Sequence, residues 1–212
     1  MVGKDKKISS KTTTVGLVVG DYVVLAADKR ATANTLVAHK MVKKIHKIDE
    51  HAAMTISGLV ADAEFIVEQA RYIARKYFLD IGSPIKIGSL ASHIALILNA
   101  YLRISPYIVQ LLIGGYDRGG PHLYYVDLYG SISEEKYMAT GSGSPVALGV
   151  LEQGYREDLS LDEAKELAFK AVAIATLRDG FSGEGVDIVV IGPEIYVEET
   201  KMFKQKIIVS GK

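Results

Sequence analysis

Three kinds of residue in this chain have types and spacings that chemistry can use: a threonine run, charges set behind apolar segments, and glycine–serine loops. The run Lys11-Thr12-Thr13-Thr14-Val15-Gly16 follows a short lysine-rich leader. A threonine hydroxyl becomes a useful nucleophile only when a neighbouring base takes its proton. A threonine run also opens a β-strand for purely steric reasons, because the branched side chain fits a pleated surface, and on these six residues alone that reading is favoured. Asp28-Lys29-Arg30 comes directly after the apolar residues 22–27. It is either a strand end meeting water or, at Asp28, a carboxylate paired with a buried cation. Lys44 stands in residues 42–48, which alternate loosely as a half-exposed strand does, and a lysine there is ordinarily a solvated edge residue. Gly141-Ser142-Gly143-Ser144-Pro145 precedes a helix and has the look of an anion cradle. It lacks a Walker lysine and a Gly-x-Gly-x-x-Gly spacing, so that reading is weak. Neither it nor Gly180-Phe181-Ser182-Gly183 fits the Gly-x-Ser-x-Gly elbow.

Composition removes several classes of function. The 212 residues contain no cysteine, which excludes a disulfide framework and a thiolate metal site. The histidines (His39, His46, His51, His93, His122) form no close ligand pair, so no metal or cofactor is expected. A net charge of zero gives no basic excess for nucleic acid. The leader, residues 1–11, carries Lys4, Lys6, Lys7 and Lys11 against Asp5 and has no apolar core, unlike a secretory signal. Apolar runs such as residues 94–98 are far too short to span a membrane. The expectation is a soluble, cytoplasmic protein with one domain over residues 12–212.

Positioning these residues requires a scaffold, and the periodicities supply one. Residues 13–19 and 22–27 read as a hairpin, 31–35 as a loop, and 42–48 and 52–57 as strands closed by Gly58. Ala63, Ile66, Val67, Ala70, Ile73, Ala74 and Tyr77 fall at helical spacing within residues 62–78. A second helix over residues 89–103 is apolar round most of its surface, as a helix buried between other elements is. Residues 107–116 and 122–128 form another hairpin, and 136–140 a short strand. Pro145 opens a third helix. Ser160-Leu161-Asp162-Glu163 is a capping box for a fourth, reaching Arg178. Residues 186–191 and 196–199 are the last strands. Strands, two helices, strands, two helices, strands is the order of an α+β protein with two packed antiparallel sheets and a helix pair outside each.

With that order in place, the chain resembles a known family. Thr12-Thr13-Thr14-Val15-Gly16, Ala26-Ala27-Asp28-Lys29-Arg30, Lys44, Gly58, Gly141-Ser142-Gly143-Ser144 and Arg178-Asp179-Gly180-Phe181-Ser182-Gly183 look like a 20S proteasome β subunit of archaeal type, in order, from Thr12 to about Ile191. The resemblance implies the four-layer αββα sandwich of N-terminal-nucleophile hydrolases. It also implies a threonine endopeptidase in which leader removal makes Thr12 the first residue, its hydroxyl the nucleophile and its own α-amine the base. Lys44 would be the cation beside it, Asp28 its holder, and the Gly58 N–H the oxyanion donor. Ser142, Asp179 and Ser182 would surround the amine. The residue types suit those roles. An α-amine titrates at about 7.7–8.0, nearer neutrality than a lysine at about 10.4. An ammonium at Lys44 favours the alkoxide and lowers the amine further by like-charge repulsion. An oxyanion donor is worth about 2.7–4 kcal/mol.

The resemblance also sets expectations for pocket, processing and partners. The residues facing the substrate side chain before the cut map onto Ala31, Val42, His46, Ile56 and Val60, with Glu64 deeper, and mostly apolar walls favour an apolar side chain. The processing site is Lys11–Thr12. The family usually has glycine before the threonine, because self-attack needs a tight backbone there, and Lys11 departs from that. The implied partners are proteasome α subunits and other β subunits in stacked heptameric rings, unfolded polypeptides as substrates and an ATP-dependent cap. Two other readings stand beside the active peptidase. One is a structural β subunit that keeps its leader; the other is the bacterial two-ring relative.

Overall fold

The computed structural model describes residues 9–33 and 36–203. Residues 1–8 of the expected leader lie outside that range. Among the described residues the first sheet runs β11(Tyr137–Thr140), β2(Thr14–Val19), β3(Tyr22–Asp28), β12(Gly185–Gly192), β13(Ile195–Met202), antiparallel throughout. The second runs β1(Ser9–Ser10), β7(Ala52–Leu59), β8(Val109–Asp117), β9(Gly120–Val126), β10(Ile132–Glu134), with β6(Ile45–Asp49) also on β7. A small hairpin pairs β4(Ala31–Ala33) with β5(Leu36–His39).

Side-chain alternation explains why the sheets stack. On β3, Val23, Leu25 and Ala27 join Ala53, Leu112 and Leu123 of the facing sheet, while Val24 and Ala26 point the other way, into the helices. The helices α1(Val60–Ile81) and α2(Ile87–Tyr101) cover the outside of the β7 sheet through Ile66, Val67, Leu90 and Ile94. The helices α3(Ser144–Gly154) and α4(Leu161–Thr176) cover the β3 sheet through Leu151, Ala168 and Val172. The result is the four-layer αββα arrangement, with both sheets sandwiched and so necessarily rich in apolar residues.

Local signals explain the helix ends. In α4 the Ser160 Oγ accepts from the Glu163 N–H at 3.3 Å and the Glu163 carboxylate accepts from the Ser160 N–H at 2.8 Å, the reciprocal capping box. Ala63, Ile66, Val67, Ala70 and Ala74 of α1 are buried at the spacing the sequence shows.

Several elements differ from the sequence reading. Residues 31–33 and 36–39 pair as strands instead of looping. The strand over residues 52–57 runs on through Gly58 to Leu59, because β8 and β1 both pair with it there. A third strand, β10, extends the β8–β9 meander beyond the hairpin that the sequence predicts. The helix α2 is not buried all round: Leu96 is 67% exposed. It packs one face on the β8–β9 strands and offers the other outward.

Candidate active site

The strands β2 and β3 bring Thr12 and Asp28 together. Antiparallel pairing sets Thr14 opposite Ala27, so the start of one strand lies beside the end of the other. Thr12 Oγ1 donates to Asp28 Oδ1 at 2.5 Å and the Thr13 N–H to the same oxygen at 3.0 Å. Lys44 enters from just ahead of β6, held where the Ile56 N–H bonds its carbonyl. Its Nζ donates to Asp28 Oδ1 at 2.7 Å and to Thr12 Oγ1. The other Asp28 oxygen accepts N–H groups of Arg30 at 3.0 Å and Gly183 at 2.9 Å. Thr12 and Asp28 are fully buried and Lys44 is 2% exposed.

This burial decides between the open readings of the sequence. Lys44 is not a solvated edge residue, and Asp28 is not a strand end meeting water. A buried carboxylate is tolerable only when paired and hydrogen-bonded. Here five donors converge on it. Burial pushes the Lys44 ammonium below the ordinary lysine value, and the Asp28 charge opposes that push. The hydroxyl of Thr12 therefore accepts from a cation and donates to an anion, a polarised position in a buried site.

Two glycines shape the space around Thr12. Gly58 has φ +121°, and a Cβ there would run into the Ile108 carbonyl oxygen. Gly141 has φ +89°, and a Cβ there would run into the Thr12 carbonyl. Both conformations favour glycine. The Gly141 loop also holds the Thr12 carbonyl through the Gly143 N–H at 3.3 Å and Ser142 Oγ at 3.4 Å. Asp179 accepts from Ser142 Oγ at 2.7 Å and Ser182 Oγ at 2.6 Å. Ser182 is thus brought to the site, but its hydroxyl meets Thr13 Oγ1, at 2.8 Å, rather than Thr12.

Residues 9–11, the end of the expected leader, run past this cluster. Ser9 pairs with Leu59 and Ser10 with Gly58, on the edge of β7 that β6 leaves open beyond Thr55. Lys11 is exposed and joins β1 to the buried Thr12.

Beside Lys44 is a small cavity of about 40 Å³, lined by Val42, Lys43, Lys44, His46, Ile56, Ser57, Gly58, Val60, Ala63 and Glu64. It gathers five of the expected pocket residues. Ala31 is not in its lining; it is buried in the β4–β5 hairpin. Glu64 is exposed, a rim position and not the deep one the sequence reading gave it. Sequence reasoning missed Ala63, buried at 1% on the inner face of α1, although its helical spacing marked it as inward-facing. It also missed Thr13, Arg30 and Gly183, whose bonds to the site run through backbone or across the fold.

An αββα sandwich with a buried threonine, lysine and aspartate gathered just ahead of β2 has the layer order of the N-terminal-nucleophile hydrolase fold. The proteasome subunit family profile matches residues 8–191. The chain is 78% identical over 203 residues to proteasome subunit beta 2 of Staphylothermus marinus, covering 96% of this chain and 98% of that one. It is 71% identical to proteasome subunit beta 2 of Desulfurococcus amylolyticus, over 93% and 96% of the two chains. It is 47% identical to proteasome subunit beta 1 of Caldivirga maquilingensis, over 92% and 96%. The chain belongs to the proteasome family as an archaeal 20S β subunit, which decides against the bacterial two-ring relative.

Proposed function

We propose that this chain, once cut between Lys11 and Thr12, is a threonine endopeptidase subunit of a proteasome core. The observation that carries the reading is the buried Thr12–Lys44–Asp28 cluster, with the hydroxyl oxygen between cation and carboxylate. Cleavage frees the Thr12 α-amine, which takes the hydroxyl proton as Oγ1 attacks a peptide carbonyl. Lys44 stabilises the developing alkoxide, and the Gly58 N–H meets the oxyanion. The amine proton passes to the leaving amine, and water, activated by the same α-amine, hydrolyses the Thr12 ester. Ser142, Asp179 and Ser182 fix the loops that flank the amine.

The leader supports a substrate pose. It is itself an extended peptide on the β7 edge at Gly58, so its departure leaves that edge free to pair with another extended chain. Val42, His46, Ile56 and Val60 then flank the side chain before the cut. The substrates are unfolded polypeptides, delivered through an ATP-dependent cap in the cytoplasm. The catalytic particle stacks heptameric β rings between α rings, which would cover exposed apolar side chains such as Leu96 and Leu79. No described helix is long and apolar enough to cross a membrane.

A second reading has its own observation. Lys11 carries a Cβ where self-attack favours glycine, and a chain that keeps its leader keeps its α-amine in a peptide bond. Such a subunit would build the ring without cutting. The test is to remove residues 1–11 with an external protease in the assembled particle. The peptidase reading expects the trimmed particle to hydrolyse peptides, whichever residue preceded Thr12. A trimmed, correctly assembled particle without activity would favour the structural subunit.

A further inference from the structure

Lys11 is held by a residue that the proposed chemistry does not use. Its ammonium lies 4.0 Å from the centroid of the Phe181 ring, over the ring face. The ring rides on a loop tied into the site. The Phe181 N–H donates to Asp179 Oδ1 at 3.3 Å, and Asp179 Oδ2 accepts from Ser142 and Ser182. Residue 11 is therefore fixed on three sides: by the β1 pairing at Ser10, by the buried Thr12, and by its own side chain on Phe181.

The direction of the side chain matters as much as its anchorage. Lys11 does not line the cavity that holds Val42, His46 and Glu64. It lines a different one of about 190 Å³, with Ile108, Gln110, Leu128 and Ser142. The ammonium is placed on an aromatic face, away from the cavity that holds Glu64.

We propose that Phe181 is a positioning residue for leader removal: its ring latches the Lys11 ammonium, keeps the leader across the cleft and slows cutting of the Lys11–Thr12 bond. The inference rests on the reading of Thr12 as its own processing nucleophile. In that step Thr12 Oγ1 bonds to the Lys11 carbonyl carbon, the bond from that carbon to the Thr12 nitrogen breaks, and the hydroxyl proton ends on the freed amine. Water then splits the ester into a Lys11 carboxylate and the restored hydroxyl. The first event requires the Lys11–Thr12 peptide plane to turn towards Oγ1, which rotates the backbone of residue 11. A side chain pinned on Phe181 opposes that rotation and must let go first.

The experiment follows leader loss by intact mass in the full-length, assembling chain. Phe181→Leu and Lys11→Met, which keep bulk but lose ring or charge, are expected to speed leader loss about two- to fivefold, the size of an exposed cation–π contact. In the double variant the two effects should not add, because one contact is removed twice. Phe181→Tyr and Lys11→Arg should keep the parent rate. Additive effects, or a tyrosine variant as fast as the leucine one, would overturn the latch. A second arm needs no self-cutting. In a Thr12→Ala background, trypsin should cut after Lys11 faster by the same ratio in Phe181→Leu and at the parent rate in Phe181→Tyr. Equal rates in all three overturn the latch. If the trypsin ratio appears while no chain ever loses its leader unaided, the latch stands and self-processing fails.

Discussion

Two clusters among the described residues are built from the same three residue types. In one, Lys44, Asp28 and Thr12 meet with side chains 2%, 0% and 0% exposed. In the other, Lys29 bonds both oxygens of Asp187 at 2.7 and 2.5 Å, and Thr200 Oγ1 donates to Asp187 Oδ1 at 2.6 Å. Each stands beside a small cavity. The difference lies in what the lysine touches and where the threonine sits. Lys44 reaches the threonine oxygen itself, whereas Lys29 is engaged by its carboxylate. Thr12 lies just ahead of β2, directly after the expected leader, so the proposed cut would give its hydroxyl an adjacent amine. Thr200 lies inside β13, paired with Asp187, and no cut elsewhere gives it one. Composition makes both clusters equivalent; geometry and chain position make one a candidate site and the other a brace between strands.

Disabling each cluster in turn should separate the two most clearly. Thr12→Ala, Lys44→Met or Asp28→Asn should each lower peptidase turnover at least about a thousandfold, in keeping with residues that act as a unit. Thr200→Val and Lys29→Met should leave turnover per particle within about twofold. Steady-state assays on assembled particles compare the two sets directly, and equal losses in both would end the distinction.

Gly58→Ala should come next in size. The added Cβ meets the Ile108 carbonyl at φ +121°, which displaces the N–H proposed for the oxyanion. A loss of about a hundredfold in turnover is expected, the scale of one misplaced oxyanion donor. Unchanged turnover in a folded Gly58→Ala particle would remove Gly58 from the mechanism.

The brace has its own signature. Lys29→Met leaves the mostly buried Asp187 without its cation, so unfolding in denaturant should show a loss of about 1–3 kcal/mol. Lys11→Gly acts on neither cluster. It should raise the processed fraction measured by mass while activity per processed chain stays constant.

The smallest effect concerns His46, on the cavity wall. Burial first, then the charges of Arg71 and Lys43, hold it below the ordinary histidine value of 6.5. Its Nε2 is buried without a hydrogen-bond partner. Because the folded value is the lower one, the unfolded chain takes up the proton first as pH falls. Stability should therefore decline from about pH 6.5 downwards, to the folded value. His46→Gln should flatten that part of a pH–stability curve; an unchanged slope would assign it to another group.

What the sequence made legible follows from the range of the forces involved. The helix α1 and the capping box at Ser160 were readable because spacing of three or four residues is local. The layer order followed from the succession of elements. Asp28 and Lys44 were ambiguous, since burial depends on Thr12 and Gly183, which are 16 and 155 residues from Asp28. Their roles came with the resemblance and not from periodicity. The rim position of Glu64 was out of reach for the same reason, whereas β4 and β5 pair locally and were hidden because small, polar residues 31–35 read as a loop. The Lys11–Phe181 contact joins the expected leader to a loop distant in sequence, and no local pattern announces it.

In the proposed reaction Thr12, freed at its amine, is the acylated residue. The most direct measurement treats the assembled particle with a slow-hydrolysing peptide ester, quenches it in acid and takes intact and fragment masses. Chains beginning at Thr12 should carry one acyl group on that residue, and the Thr12→Ala chain none. Acylation elsewhere, or peptide turnover by particles whose chains all still begin at Met1, would contradict it.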